Sequence, residues 1–242
     1  IQGVVVTASN FTGCSYGIVV PTLAVACDQL LVQASQFNCA IAGILLQGEC
    51  VNTQILGNLF LVGLGANGFG INMLAAALFS IVGNSFNPVA FGASTAVAIG
   101  ISGTVSSQPG SIIGNAIEGM DFGIGLNAGS NHVLVQGNTL TGCTASISDN
   151  GTANVIVNNI GYNPVGTSPG TVGASPATIT NGSSPATYYF SQSATFTGTV
   201  SVGGPIVGNL TSGNVVAINL GPHESCVVTW TTTAPTYTLS VH

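Results

Sequence analysis

The sequence predicts an all-β protein: a parallel β-helix (solenoid) over residues 1–164, a linker over 165–176 and a small C-terminal antiparallel β-sandwich over 177–242. Three observations predict it. Short β-branched runs ending in Gly-Asn or Asn-Asn recur every 20 to 25 residues or so, as in Ser111-Ile112-Ile113-Gly114-Asn115, Val133-Leu134-Val135-Gln136-Gly137-Asn138 and Val155-Ile156-Val157-Asn158-Asn159. One such run per repeat is how a turn of a β-solenoid reads. Only 2% of the residues are charged, against a usual share of about 25%, which suits a rigid β architecture solvated by hydroxyls and amides. After Pro164 the repeat stops, and strand-like runs separated by turn signals take over.

The turns are anchored by a small or amide residue two places before an apolar one: Ser9 before Phe11, Ser35 before Phe37, Asn58 before Phe60, Asn84 before Phe86, Asn115 before Ile117, Asn138 before Leu140 and Asn158 before Ile160. The spacings are 26, 23, 26, 31, 23 and 20 residues. A second apolar run starts eight residues after the anchor at Gly17-Ile18, Gly43-Ile44, Gly123-Ile124 and Ser146-Ile147. Two strands at a fixed offset make a coil of parallel strands stacked at about 4.8 Å. The position two after the anchor then forms an inward ladder of Phe, Phe, Phe, Phe, Ile, Leu and Ile. The spacing of 31 predicts an inserted loop within residues 90–110, where Gln108-Pro109-Gly110 signals a turn. In the tail, residues 187–190, 194–202, 215–220, 226–231 and 236–241 read as short sandwich strands.

Composition excludes several function classes. There is no Lys or Arg, six acids set the formal net charge at −6, and a nucleic-acid ligand needs cations to displace its counterions. No nucleic-acid partner is expected. Gly, Asn, Ser or Thr breaks every apolar run well before 18 residues, so no membrane-inserting helix is expected either. The absent Lys and Arg also remove every trypsin site.

At Asn158-Asn159-Ile160-Gly161-Tyr162-Asn163-Pro164-Val165-Gly166 and Val172-Gly173-Ala174-Ser175-Pro176 the chain resembles the C-terminal part of pectate-lyase-like right-handed parallel β-helix proteins of the bacteriophage and prophage tailspike type. Gly221-Pro222-His223-Glu224-Ser225 and residues 234–242 resemble the small β domain that ends many of them. The resemblance implies a right-handed coil, a homotrimer and an extracellular place, in a virion tail or a secreted filament. It also implies recognition, and often cleavage, of cell-surface polysaccharide. A pectate-lyase site needs an arginine base and clustered calcium-binding aspartates. This chain has neither, so none of that site is carried over.

Glycoside hydrolysis needs two carboxylates flanking the bond, and Glu118 and Asp121 are the two acids close in sequence. They fall where the coil bends into its second strand, and stand here as the catalytic candidates against a reading as two solvated turn acids. Asp149, in Asp149-Asn150-Gly151, reads as a turn residue. Asp28 and Glu49 flank Cys27 and Cys50 and face outward if the cysteines face inward. His132, His223 and His242 form no metal motif, and neither a metal nor another cofactor is expected. Cys27 and Cys50 stand eight residues before their anchors, and Cys14 and Cys39 stand five and four after theirs. Each pair therefore falls in adjacent turns, within disulfide reach, with stacked free thiols the alternative. Cys143 and Cys226 lack an evident partner. Glycosylation sequons occur at Asn10, Asn150, Asn181 and Asn209. The sequence thus supports a trimeric glycan-recognising β-helix, with a hydrolase and a filament subunit as alternatives.

Overall fold

A computed structural model describes residues 2–22, 27–63, 68–89, 96–103, 109–162, 167–182, 184–191, 197–211, 213–231 and 234–241. Every regular element among them is a β-strand. The chain divides into two compact units, Ile1–Tyr162 and Asn163–His242.

The first unit is a parallel β-helix of about five turns, with three strands in a full turn. One turn runs through Gly110–Ile113, Ala116–Glu118 and Phe122–Leu126, and the next through Val133–Gln136, Thr139–Thr141 and Ala145–Asp149. Equivalent strands pair in parallel with the turns above and below. A nine-stranded sheet makes the first face. A ten-stranded sheet wraps the other two, because Asn10–Val20 and Gln36–Leu46 continue around the corner between them. The anchor-plus-two residues thus form a strand of their own, one more per turn than the sequence pattern implies. Near the N-terminal end, Cys27–Gln33, Cys50–Val51 and Ala76–Ala77 add short rungs.

Three inward ladders fill the coil. The first face stacks Val32, Ile55, Ile81, Ile112, Val135 and Ile156, all fully buried. The third stacks Ile18, Ile44, Ile71, Ile99, Ile124 and Ile147. On the second face the rings of Phe11, Phe37, Phe60 and Phe86 stack at centroid separations of 4.9, 4.8 and 4.7 Å, followed by Ile117 and Leu140. Each fully buried rung contributes about 1.5–3 kcal/mol of apolar transfer.

A polar ladder at the corner between the first two faces explains the Gly-Asn repeats. The Asn115 backbone N–H donates to Asn138 Oδ1 at 2.9 Å, and its Nδ2 donates to the same oxygen at 2.9 Å and to the Ile81 carbonyl at 3.0 Å. Asn58, Asn84 and Asn138 repeat this pattern. The residue before each rung takes positive φ: Gly57 60°, Gly83 65°, Gly114 63° and Gly137 64°.

Asn158, with φ 55°, occupies that glycine position, and Asn159 is the rung that bonds Asn138. The last anchor is therefore Asn159, not Asn158. Ile160 shifts with it and is 69% exposed, so it is not the inward residue expected. The insertion expected within residues 90–110 is interrupted by Val97–Ile101, a third-face strand pairing with Phe69–Met73 and Phe122–Leu126. Residues 90–95 and 104–108, which would carry the inserted loop, lie outside the described residues, as do residues 163–166 of the Gly-Tyr-Asn-Pro-Val-Gly junction.

The second unit is two four-stranded antiparallel sheets. One orders Thr167–Thr171, Thr236–Val241, Ala186–Ser191 and Val215–Leu220; the other orders Ala177–Thr180, Ser225–Thr231, Thr197–Val202 and Ile206–Thr211. Their inward residues, among them Tyr188, Phe190, Val200, Leu220 and Val228, form a separate core. Thr167–Thr171 falls inside the stretch read as a linker, yet it pairs with Thr236–Val241. Its Gly, Ser, Thr and Pro content hid an edge strand, where Pro169 loses little by lacking an N–H. Ala177–Thr180 and Ile206–Thr211 are likewise strands that the run pattern did not mark. Asn181 is buried, with Nδ2 donating to the Ser184, Leu220 and Gly221 carbonyls at 2.7, 3.1 and 2.8 Å. Its sequon is a tie of the fold, not an open acceptor.

Candidate functional site

The strongest site geometry lies on the first face of the solenoid, where strand ends and corner residues frame a cleft of ≈ 450 Å³. Gln54, Ser80 and Ser111 are register partners on successive turns and project outward from it. The Ser80 and Ser111 hydroxyls are hydrogen-bonded at 3.2 Å. The rim comes from Asn52, Leu78 and His132, which precede their strands in left-handed backbone at φ 55°, 47° and 57°. That conformation turns the chain from corner to strand, and Asn and His tolerate it better than most residues. Phe79 lies beneath, 2% exposed, and Gly110 leaves room for its ring: a Cβ there would run into Cε1 and Cζ. His132, next to the apolar run Val133-Leu134-Val135 in the sequence, is the corner residue ahead of it. Gln54, Ser80 and Ser111 were not recognised as a group. The available signal was their common offset before the anchors, which stands out only once the strand register is known.

The two hydrolase candidates sit on either side of another corner. Glu118 ends Ala116–Glu118, exposed and opposite Thr141. Asp121 is half-buried ahead of Phe122–Leu126, with its N–H donating to the Ala96 carbonyl at 3.1 Å. Between them Gly119 turns at φ 65° and Met120 enters the core, 1% exposed. Glu118 therefore belongs to the second face and Asp121 to the entry of the third. Neither lines the first-face cleft. Asp149 is the turn residue expected, its Oδ1 accepting from the Gly151 N–H at 3.0 Å and Asn154 Nδ2 at 2.8 Å. Glu49 is exposed and Asp28 half-buried.

Both cysteine pairs are in register, Cys27 with Cys50 and Cys14 with Cys39. All are free thiols. The Cys14 and Cys39 sulfurs are 3.2 Å apart beside a surface cleft of ≈ 360 Å³ whose lining includes Asn38, Gly63 and Val89. Burial, reinforced by the neighbouring Cys14 thiol, pushes the Cys39 pKa up to about 12. Burial and the Cys27 thiol do the same to Cys50, also to about 12. Among the described residues no three of His, Cys, Asp and Glu gather as a metal-binding group.

The family profile described as "Periplasmic copper-binding protein (NosD)" matches residues 2–169, most of the chain. The chain belongs to the NosD family. No curated protein matches it. The NosD match covers the solenoid, including both the first-face cleft and the Cys14–Cys39 pair, and ends within the first strand of the second unit. As a NosD-family β-helix the protein is related to proteins described as periplasmic, which agrees with the exported location expected.

Proposed function

We propose that this NosD-family protein is an exported β-helix that recognises an uncharged cell-surface polysaccharide, as a homotrimer. The observation that carries the reading is the first-face cleft. Its ≈ 450 Å³ falls in the range of small-ligand sites, about 300–1,000 Å³. Gln54, Asn52, Ser80 and Ser111 supply both donors and acceptors, while Leu78 and Leu134 offer apolar surface to the C–H face of a sugar ring. No Lys or Arg exists to hold an anionic glycan, and the net charge of −6 repels one. Trimerisation is supported by the tailspike resemblance and by an uncharged surface that loses little hydration when buried.

The test is calorimetric titration with a panel of neutral bacterial polysaccharides, with particle mass and polymer length read in the same samples. Binding that is lost in Gln54→Ala/Ser111→Ala and kept in Glu118→Gln supports the reading. Unchanged affinity in the double variant sinks it. Shortening of the polymer that stops in Glu118→Gln would instead support hydrolysis by Glu118 and Asp121, and growth of particle mass with concentration would support a filament.

A second reading is favoured by the family description together with the thiol contact. Cys14 and Cys39 suit Cu(I), since soft thiolates select it. A bound Cu(I) would be carried as cargo by the two thiolates. Both sulfurs must lose protons to bind, and the raised Cys39 pKa makes affinity climb with pH. Cu(I) titration of the reduced protein against a chromogenic chelator should show one ion bound, and none in Cys14→Ser. In an oxidising compartment the same pair forms a disulfide, as we propose also for Cys27 and Cys50, each sulfur giving up one proton and one electron to the compartment's oxidant. Intact mass without reductant reads that state directly.

A further inference from the structure

We propose that the first-face cleft is one half of a longer groove, and that its ligand is a stretch of polysaccharide several sugar units long, laid along the axis of the coil. The proposal rests on the glycan reading and adds the length and direction of what is bound. A second cleft, of ≈ 560 Å³, adjoins the first toward the N-terminal turns, and Asn52 and Gln54 line both. Its outward floor residues, Val5 and Leu31, continue the column of Gln54, Ser80 and Ser111: Val5 is the register partner of Leu31, and Leu31 of Gln54. Leu134 extends the same column at the other end. The rim continues as well. Gln29 and Gly3 stand two residues before Leu31 and Val5 in left-handed backbone, at φ 61° and 69°, just as Asn52, Leu78 and His132 stand two before Gln54, Ser80 and Leu134.

Each turn from Val5 to Leu134 thus supplies the same two positions, one to the rim and one to the floor, with Pro109 filling the rim in the turn of Ser111. Turns of a parallel coil stack at about 4.8 Å, so the five steps of this column span about 24 Å. Each cleft alone has the volume of a small-ligand site, about 300–1,000 Å³, so a ligand that fills both is a polymer segment and not a free sugar. From Leu31 to Leu134 every floor strand is paired along both of its edges. No backbone edge is therefore free there to take a peptide strand, and recognition falls to side chains. Gln29, Asn52, Gln54, Ser80 and Ser111 bring amides and hydroxyls, Leu31, Leu78 and Leu134 bring apolar surface, and no acid lines either cleft. A chain of neutral sugars presents the matching mixture of hydroxyls and C–H faces at every unit.

The test uses the whole chain and the panel of neutral bacterial polysaccharides, each cut by partial acid hydrolysis into fragments sorted by length. Calorimetry should show affinity rising with length until a fragment spans both clefts. A chain already held in one cleft meets the other at high effective concentration, so spanning fragments should bind at least about 100-fold tighter than fragments that fill one cleft. Val5, 62% exposed, lines only the second cleft. Val5→Tyr should bring long fragments down to the affinity of short ones and leave short-fragment affinity unchanged, with a native circular dichroism spectrum. Leu31→Tyr, one turn along, repeats the test should Val5→Tyr not fold. Equal native affinity for short and long fragments overturns the proposal and leaves the first cleft as the glycan site. Native long-fragment affinity in both variants overturns it too. Binding of no neutral polysaccharide at any length sinks the glycan reading itself, and this proposal with it.

Discussion

At the residue scale, the corner asparagines and Thr53 are opposite cases of one rule, that a buried polar group must find a partner. Asn115 is 1% exposed, satisfies its own amide and serves the Asn84 backbone N–H and Nδ2 in turn. Asn115→Ala removes these bonds and leaves the Asn84 donors and the Ile81 carbonyl without them, so a loss of about 2–4 kcal/mol is expected, from a penalty of about 1–3 kcal/mol per orphaned group. Thr53 is fully buried among the inward residues, and its Oγ1 has no hydrogen-bond partner among the described residues. Thr53→Val keeps the shape and removes the hydroxyl, so it should stabilise by about 1 kcal/mol. Urea denaturation of the two variants should move the midpoint in opposite directions. The asparagine ladder was legible because Gly-Asn repeats at the solenoid period. The end of the ladder was not, because in Asn158-Asn159 an asparagine stands in the glycine's place and only the backbone shows which of the two forms the rung. The first-face cleft was illegible for a related reason: Gln54 differs in type from Ser80 and Ser111, and only the strand register aligns the three.

At the element scale, the aromatic ladder dictates a second column of small residues. A Cβ on Gly43 would meet Phe60 Cδ1 at 2.7 Å and the Gly70 carbonyl oxygen at 2.7 Å, and one on Gly70 would meet Phe86 Cδ1 at 2.6 Å. Where the facing rung is the smaller Ile117, the column holds Ala98. At Gly17, Gly43 and Gly70 the entry to the third face is thus kept small by the ring beside it, and at Gly123 by Leu140 and the Ser146 carbonyl. Gly70→Ala should destabilise by about 1–3 kcal/mol, the usual cost of overpacking, because its closest obstacles include backbone. Pairing it with Phe86→Leu should recover part of the loss, and a double-mutant cycle by thermal melting would show positive coupling. No coupling would mean that the carbonyl contact alone sets the limit. The sequence showed the glycines before Ile18, Ile44 and Ile124 as part of a run. Their cause was hidden, because the obstacle that demands each glycine comes from the following turn, some twenty residues away: a Phe ring for Gly17 and Gly43, and the Leu140 side chain with the Ser146 carbonyl for Gly123. Edge strands such as Thr167–Thr171 were missed for the opposite reason: solvent takes part of their pairing, so their composition is free to look like a loop.

At the scale of the whole molecule, the absence of Lys and Arg makes the response to alkali unusually simple. No cationic side chain other than histidine is present to lose its charge, so thiols and tyrosines are the side chains left to titrate above neutrality. Cys39 and Cys50 are raised by burial, each with help from its paired thiol, from an ordinary 9.0 to about 12. Burial likewise raises Cys226, to about 11. In the unfolded chain these thiols ionise near their ordinary value, while in the fold they stay protonated. Above pH 9 the unfolded state therefore binds fewer protons than the native state, and stability falls as pH rises. The contribution is fully present below about pH 9 and disappears progressively as pH climbs through the window toward about 12. Melting temperatures of the reduced protein should accordingly decline from pH 9 upward, and Cys39→Ala or Cys50→Ala should flatten that decline. The oxidised protein supplies the decisive comparison. If Cys14–Cys39 and Cys27–Cys50 are disulfides they have no protons to lose, and the alkaline slope should shrink to what Cys143, whose thiol burial also raises, Cys226 and the tyrosines contribute. A slope identical with and without reductant would show that neither pair bridges, and would leave Cys14 and Cys39 as the thiols that the copper reading requires.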